Sequence, residues 1–295
     1  MRLVFVGKGH AHGLRVLDAL RGGHDIVAYV ESAPRGASTV SRGSELARLA
    51  ARERRPYLGL GGGDLAPLAS LLEDVRAQLL CVTSLSRLLP ESVFGIPEHG
   101  AINLHPSRLP RYPGPFPVLW QYLAFESEGG VTVHRIDAGE DSGPILQQET
   151  FPIAAGTPLP DLLERIGAIG ARLMRGAVDD LAAGTSRPRP QSGERGPRAR
   201  AVKRDEPLID WEGWPIERVH HALIGTQPWL DAIRHEAYRS TDWQVGAIEG
   251  SASREAAGTI AKDARGFYAA HPQGRIRLSL RHPWRVRARR MLRGA

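Results

Sequence analysis

Asn103 and His105 are the residues of this chain whose types and spacing best suit a chemical reaction. They lie two positions apart in an apolar run, so both side chains point to the same face if the run is an extended strand. Proline ends that strand and makes the following loop rigid, at Pro106, Pro110, Pro113, Pro115 and Pro117. An amide and an imidazole are therefore expected at the end of a strand, where open α/β sheets place their chemistry.

We expect a carboxylate to reach the same place. The apolar run from Gly130 to Ile136 predicts another strand, and the turn after it, rich in Asp and Gly, carries Asp141. A helix and a strand between His105 and Asp141 are enough to return the chain to the first strand's end. An amide, an imidazole and a carboxylate in one cleft suit acyl transfer, in which an oxygen becomes negative and a proton must be removed.

Short ordered motifs surround these three residues. They are Asn103-Leu104-His105-Pro106-Ser107, Leu109-Pro110-Arg111-Tyr112, Gly114, Pro117, Gly130-Val131-Thr132-Val133-His134 and Asp141-Ser142-Gly143. Together they resemble the folate-dependent formyltransferase family, whose members act on methionyl-tRNA, glycinamide ribonucleotide or amino sugars. The resemblance implies a formyltransferase that uses 10-formyltetrahydrofolate as co-substrate.

The resemblance also implies catalytic roles. Asn103 would donate a hydrogen bond to the oxyanion, and His105 would serve both the oxyanion and proton transfer. Asp141 would orient His105 and relay the proton. Ser107 and His134 are either supporting residues of this site or purely structural ones.

Further residues are candidates for binding the two substrates. The resemblance places the folate along the end of the strand at 78–83 and along a later turn, at Ser84, Leu85, Arg87, Leu88, Leu89, Asp137 and Gly139. An ordinary strand-to-helix loop explains the segment from Ser84 to Leu89 equally well. Candidates for binding the acceptor are His10, His12, Tyr112 and Trp120.

The order of predicted elements indicates an α/β fold, a Rossmann-like doubly wound and mostly parallel sheet, followed by a small, reduced β-rich domain. We expect a catalytic domain over residues 1–183 and a linker over 184–204, which is rich in Pro, Gly, Ser and Arg. A small accessory domain over 205–280 and a basic tail over 281–295 would follow.

The start of the chain has features of a dinucleotide site. A strand at Leu3 to Val6, a glycine-rich loop, a helix and a second strand ending at Glu31 follow one another. Formyltransferases that resemble this chain begin in a similar way without binding a dinucleotide, so we do not favour that interpretation. His10 and His12 have no third ligand near them in the sequence, and we expect no metal.

Composition limits the class of protein. The 295 residues include one cysteine, Cys81, which rules out an internal disulfide and is expected to be buried. There is no apolar run long enough to span a bilayer, so we expect a cytoplasmic protein. The net charge of +7 suggests an anionic partner only weakly, because much of the excess lies in the terminal arginines.

These observations favour formyl transfer to the amine of a small biosynthetic intermediate, such as an amino sugar or a hydroxylated ornithine. The main alternative is methionyl-tRNA, which the charge favours and the short, lysine-free loop at 32–43 disfavours. A formyltetrahydrofolate hydrolase or a non-catalytic homologue that binds folate or RNA would share the motifs. The acceptor and the oligomeric state stay open.

Overall fold

A computed structural model describes residues 1–33, 44–61, 64–85, 87–192, 196–250 and 253–282. The chain folds into two compact units. The first unit consists of Met1–Pro117, Glu128–Phe151 and the described part of Leu163–Ala199, and the second of Val118–Ser127, Pro152–Leu162 and the described residues from Arg200 onward. Most of the loop at 32–43 and of the basic tail at 281–295 lies outside the described residues.

Seven strands form the sheet of the first unit: β1 (Arg2–Gly7), β2 (Asp25–Ser32), β3 (Tyr57–Leu60), β4 (Leu79–Val82), β5 (Ala101–His105), β6 (Glu128–Arg135) and β7 (Ile145–Pro152). Their order is β3-β2-β1-β4-β5-β6-β7. The pairs from β3 through β5 are parallel, whereas β5 and β6 are antiparallel. The doubly wound, mostly parallel sheet predicted from the sequence is therefore confirmed.

Six helices are found among the described residues up to Ala182: α1 (Ala11–Arg21), α2 (Glu45–Glu53), α3 (Ala66–Asp74), α4 (Glu91–Phe94), α5 (Pro117–Leu123) and α6 (Leu159–Ala182). Apart from Pro117, α5 belongs to the second unit. Helix α1 buries Val16, Leu17 and Leu20, whose spacing defines one face of a helix. Helix α2 begins after Ser44, whose hydroxyl accepts a hydrogen bond from the backbone N–H of Ala47. Local sequence thus explains where these helices lie.

The core of the first unit covers both faces of its central strands. Residues Leu3 to Val6 of β1 have no exposed surface, as expected for a parallel strand that carries helices on both sides. Cys81 in the neighbouring strand is also fully buried, and burial raises the pKa of its thiol. The loops that follow β1, β4 and β5 therefore start from the buried central strands of the sheet.

The second unit contains a small antiparallel sheet and one further helix, α7 (Ile216–Thr226). The strands are β8 (Trp243–Glu249), β9 (Ile260–Asp263), β10 (Gly266–His271) and β11 (Gly274–Leu280), in the order β8-β11-β10-β9. The reduced β-rich C-terminal portion predicted from the sequence is confirmed. No helix among the described residues is long and apolar enough to cross a membrane.

Two details of this sheet differ from the sequence analysis. Strand β8 was not predicted, because its polar and half-buried residues lack a clear alternation. The alternation in Ala257-Gly258-Thr259-Ile260 predicts a strand there, but β9 begins only at Ile260, since Gly258 has a φ of +79° and the N–H of Thr259 bonds to the carbonyl of Ala256. A turn therefore occupies the first part of that segment.

Candidate active site

Asn103 and His105 lie at the carboxyl end of β5 and point to the same side of the sheet, as strand alternation requires. The antiparallel pairing of β5 with β6 places His134 directly opposite Asn103 and Thr132 opposite His105. His105 and His134 are almost fully buried, with side chains 5% and 3% exposed. Register across the strand pair therefore adds a second imidazole to the predicted site.

Hydrogen bonds orient the side chains of Asn103 and His134. His134 Nδ1 lies 2.8 Å from the carbonyl oxygen of Arg135, which can only accept, so this nitrogen carries the hydrogen. His134 Nε2 is then an acceptor and lies 3.1 Å from Asn103 Nδ2. The same amide nitrogen donates to Asp141 Oδ1 at 3.4 Å, a long hydrogen bond. One amide thus joins the imidazole and the carboxylate.

Asp141 is the residue on which this network converges. Its backbone is left-handed, with a φ of 51°, and its side chain is 16% exposed. Its oxygens lie 3.5 Å from His105 Nδ1 and 3.5 Å from His134 Nε2, and Oδ2 accepts the N–H of Gly114 at 2.8 Å. Burial alone raises the pKa of Asp141, but His134 and His105 in their protonated, cationic forms and the Gly114 N–H outweigh burial and lower this pKa to about 2. Asp141 is therefore a carboxylate at neutral pH.

One ring nitrogen of His105 donates a hydrogen bond to the backbone, and the other faces Asp141 and is available to accept a proton. Its Nε2 lies 2.8 Å from the carbonyl oxygen of Tyr112, so Nε2 carries the hydrogen and donates it. Burial lowers the pKa of His105, while the charge of Asp141 and the bond to Tyr112 oppose that change. The imidazole is therefore neutral at pH 7, with the lone pair on Nδ1 beside Asp141. This arrangement is suited to accepting a proton.

The proline-rich loop after β5 supplies backbone groups to the site. Tyr112 has a φ of 59° and offers its carbonyl to His105, and Gly114 has a φ of 110°, which favours glycine. The hydroxyl of Ser107 is buried and donates to the carbonyl of Arg111 at 2.7 Å. Ser107 therefore holds the loop itself, and the loop holds His105 and Asp141.

A second set of hydrogen bonds also holds this loop and was not predicted from the sequence. Thr132 Oγ1 donates to the carbonyl of Ser107 at 2.7 Å and accepts hydrogen bonds from the backbone N–H of Leu109 and the amide of Gln148. Gln148 Nε2 also lies 2.9 Å from the carbonyl of Leu109. The alternation of polar residues on β6 and β7 is the only sequence signal that points to these contacts.

The predicted folate residues after β4 have different surroundings. Leu89 is 4% exposed and belongs to the core, and Leu85 packs partly against it. Leu88, in contrast, is 58% exposed. Arg87 Nη1 is buried and has no hydrogen-bond partner among the described residues. Ser84 is half-buried at the beginning of this loop. An exposed apolar side chain and one guanidinium nitrogen without a partner among the described residues thus lie in one loop.

Asp137 and Gly139 lie in the turn that leads to Asp141. Asp137 Oδ1 accepts hydrogen bonds from the N–H of Gly139 at 3.1 Å and from the hydroxyl of Ser142 at 2.8 Å. A side chain at position 139 would collide with Ser142 Oγ, at 2.0 Å from the added Cβ. Both residues therefore shape the turn itself.

The four predicted acceptor-binding residues are spread over the chain. His10 and His12 stack at the start of α1, with ring centroids 5.8 Å apart. The side chain of Tyr112 is buried, and it is the carbonyl of this residue that touches His105. Trp120 belongs to the second unit, where its Nε1 donates to the carbonyl of Arg200 at 2.9 Å. The hydrogen bonds and ion pairs given above for Asn103, His105 and Asp141 involve none of these four side chains.

The glycine loop after β1 differs from an open dinucleotide site. A Cβ added to Gly9 would lie 3.0 Å from Glu45 Cβ, so the start of α2 covers this glycine. Glu31 is buried and accepts a hydrogen bond from the hydroxyl of Tyr57 at 3.1 Å. Glu31 and Gly9, the positions that a dinucleotide would use, thus both contact other residues of the protein.

Comparison with known proteins identifies the family. A profile of the formyl transferase family matches residues 1–178, more than half of the chain. The chain therefore belongs to the formyl transferase family, and it is an enzyme that transfers formyl groups.

Two curated relatives are methionyl-tRNA formyltransferases. That of Trichlorobacter lovleyi is 30% identical over 68% of this chain and 73% of its own length. That of Dinoroseobacter shibae is 34% identical over 77% of this chain and 76% of its own length. Other matched relatives with the same name are covered over only 60% or 52% of their own lengths.

A solved structure shares the fold over nearly the whole chain. It is a sugar 3N-formyl transferase determined with dTDP and 5-N-formyl-THF. The comparison covers 95% of this chain and 97% of that one, with a TM-score of 0.68 and 14% sequence identity. At this identity the likeness extends to the fold alone.

Proposed function

We propose that this enzyme moves the formyl group of 10-formyltetrahydrofolate to the amine of a small biosynthetic molecule, such as an amino sugar or a hydroxylated ornithine. The observation that supports formyl transfer to an amine is the geometry of His105, whose Nε2 is held by the Tyr112 carbonyl while Nδ1 lies 3.5 Å from the Asp141 carboxylate. An amine that attacks a formyl carbon has to lose a proton, and this pair is built to receive it.

The loop after β4 fits the donor. A reduced pterin has flat apolar faces and an edge rich in hydrogen-bond acceptors and donors. Leu88 offers an exposed apolar side chain, and Arg87 offers a buried N–H group without a partner among the described residues. A buried guanidinium N–H without a partner is costly, and a bound pterin carbonyl would satisfy it. Arg87 and Leu88 are therefore our candidates for holding the folate.

We assign the reaction steps to three side chains. As the amine nitrogen bonds to the formyl carbon, His105 Nδ1 takes the amine proton and Asp141 stabilises the resulting imidazolium. Asn103 Nδ2 shifts the hydrogen of its long bond to Asp141 toward the formyl oxygen, which becomes negative. His105 then returns the proton to the departing folate nitrogen, which leaves a formamide and tetrahydrofolate.

This assignment changes one role predicted from the sequence. There His105 was expected to serve the oxyanion as well as proton transfer. In the folded chain its only N–H is donated to Tyr112, so donation to the oxygen falls to Asn103. The proton-transfer role of His105 stays as predicted.

A small acceptor is favoured by the charges of the second unit. Its described acidic and basic residues nearly balance, and many of its cations are held by acids. The pairs are Arg200 with Glu206, Arg204 with Asp231, Arg265 and Arg277 with Glu249, and Arg275 and Arg277 with Asp263. A surface whose cations are already paired releases few counterions on binding a polyanion. It is therefore poorly suited to RNA.

Methionyl-tRNA is the second candidate acceptor. The curated relatives carry that name, and five arginines lie at positions 285, 287, 289, 290 and 293, outside the described residues. Basic segments of this kind bind phosphate backbones without sequence preference.

The test is release of tetrahydrofolate, followed by absorbance, with 10-formyltetrahydrofolate and a panel of acceptors. The panel holds nucleotide-linked amino sugars, hydroxyornithine and charged initiator tRNA, with Asp141→Asn as the control. Turnover with one small amine, lost in the control, supports the proposal. Turnover with tRNA alone supports the second candidate. Release without any acceptor indicates a hydrolase, and tight folate binding without turnover contradicts catalysis on this panel.

A further inference from the structure

A polar segment crosses the two loops that build the site. We call its described residues, 185–192 and 196–199, the strap; it lies within the region expected from sequence to be a linker. Arg189 exchanges two backbone hydrogen bonds with Ile145, at 2.7 and 2.8 Å. Ala199 donates to the carbonyl of Pro113 at 2.7 Å and accepts from the N–H of Phe116 at 3.0 Å. The strap is thus fixed to the chain on both sides of the site.

Gln191 is the strap residue that bonds to the backbone of the Asp141 loop, whereas Arg198 pairs with the side chain of Glu140 in the same loop. Its Nε2 lies 2.7 Å from the carbonyl oxygen of Asp141 and 2.9 Å from that of Gly143. Each hydrogen of the amide nitrogen therefore has its own carbonyl acceptor. A reversed amide would place its oxygen against two other oxygens, so the contacts also set the orientation of the side chain.

The backbone held by Gln191 has an unusual conformation. Asp141 is left-handed without being glycine, which is unfavourable unless the surroundings hold it. Gly143 is pressed against β6, because an added Cβ would lie 1.9 Å from the carbonyl oxygen of Arg135. Gln191 bonds to the carbonyls of both residues, and so fixes the peptide plane between Asp141 and Ser142 and the plane between Gly143 and Pro144. The direction of the Asp141 side chain depends on those planes.

We propose that Gln191 is a positioning residue for the reaction, which holds the Asp141 carboxylate at His105 through two hydrogen bonds to the Asp141 loop. This inference rests on the proposed function of Asp141 and His105. It assigns a role in the reaction to the strap, whose Gln191 acts on Asp141 through the backbone of the loop.

Gln191→Glu gives the sharpest test, because it keeps the shape of the side chain and removes both N–H donors. Gln191→Ala removes the side chain altogether. The matched control is Arg189→Ala, which lies two positions away on the same strap, is exposed, and uses only its backbone to pair with Ile145. We expect kcat to fall about tenfold to a hundredfold in both Gln191 variants, with KM for donor and acceptor within about twofold of wild type. The control is expected to keep wild-type kcat.

A second readout is independent of activity. Asp141 raises the pKa of His105, so a displaced carboxylate lowers that pKa further. We expect titration of ¹⁵N-labelled imidazoles to show a lower His105 pKa in Gln191→Ala, which adds no charge near the site, and in Asp141→Asn, and no change in Arg189→Ala. An unchanged His105 titration in a folded Gln191→Ala overturns the role of Gln191, whether or not the wild type transfers formyl groups. Loss of kcat in Gln191→Glu accompanied by equal loss in Arg189→Ala also overturns it.

Discussion

His134 stands directly opposite Asn103 across the antiparallel pair of β5 and β6, with His134 Nε2 3.1 Å from Asn103 Nδ2. The carbonyl of Arg135 holds the other ring nitrogen as a donor, so the nitrogen facing Asn103 accepts. This imidazole therefore fixes which way the Asn103 amide points. Asn103, which is proposed to donate a hydrogen bond to the oxyanion, is therefore oriented by His134 on the next strand.

Replacing His134 tests this orientation. We expect His134→Ala to lower kcat about tenfold to a hundredfold, because Asn103 Nδ2 loses the acceptor that holds it. His134→Gln offers an oxygen acceptor of similar reach and is expected to recover part of that loss. Steady-state kinetics with the acceptor found in the panel measures both. Equal activity of the alanine and glutamine variants would remove the orienting role from His134.

The activity should fall on the acid side of neutrality. Burial lowers the pKa of His105, so the neutral base persists below the usual pH of about 6.5 and is lost as pH falls through the lowered pKa. We expect the acidic limb of kcat/KM to lie below pH 6.5 in the wild type. In Asp141→Asn, whose turnover is expected to be lost, titration of the labelled His105 imidazole should show a still lower pKa, because the charge that favours the imidazolium is gone. A limb above pH 6.5 would contradict a buried His105 as the base.

Asp141 should also make stability depend on pH. Its folded pKa is lowered from 3.8 to about 2, so the ionised form stabilises the folded state above about pH 4. That contribution, on the order of 2 kcal/mol, is lost as pH falls from about 4 to about 2. Urea unfolding of wild type and Asp141→Asn as a function of pH measures it. We expect the pH-dependent part of the difference between them to disappear near pH 2, and a constant difference would refute the linkage.

Arg87 offers a test of donor binding. We expect Arg87→Met, which keeps much of the length and loses the guanidinium, to raise KM for 10-formyltetrahydrofolate about tenfold and to leave kcat within about threefold. Leu88→Ala removes the exposed apolar side chain, and a smaller rise in KM is expected. Direct titration with 5-formyltetrahydrofolate separates binding from chemistry. Unchanged donor affinity in both variants would move the folate away from this loop.

The sequence predicted the parts of the site that depend on strand periodicity and motif. Asn103 and His105 share a face because alternate residues of a strand do, and the burial of β1 and β4 follows from their continuous apolar runs. The pairing of His134 with Asn103 was not predictable, since it depends on the register of two strands. A register shift of one residue would have turned His134 to the other face.

Contacts that residues make through their backbone groups could not be predicted from the sequence of side chains. Tyr112 acts through its carbonyl and Gly114 through its N–H, so residue type indicates neither contact. The strap was expected to be a linker because Pro, Gly and Arg dominate it and no period of 2 or 3.6 can be found there. Hydrogen bonding of an irregular segment depends on tertiary structure, which composition does not report.

The last prediction concerns the second unit, where Gly225 of α7 packs directly against Tyr122. A Cβ added at position 225 would lie 2.0 Å from the Tyr122 ring, which is itself 1% exposed. We expect Gly225→Ala to destabilise the protein by about 1–3 kcal/mol, because neither the helix nor the buried ring can move away cheaply. Gly176 in α6 is the matched control, since a Cβ there meets nothing within 4 Å.

Gly176→Ala is expected to stabilise the protein by about 0.5–1 kcal/mol, since alanine loses less conformational entropy than glycine when a helix forms. Thermal and urea unfolding of both variants gives the comparison. A Gly225→Ala variant as stable as the wild type would show that α7 does not approach Tyr122 as closely as the structure places it. Loss of stability in both variants would instead mean that alanine is unfavourable in either helix for reasons other than contact with Tyr122.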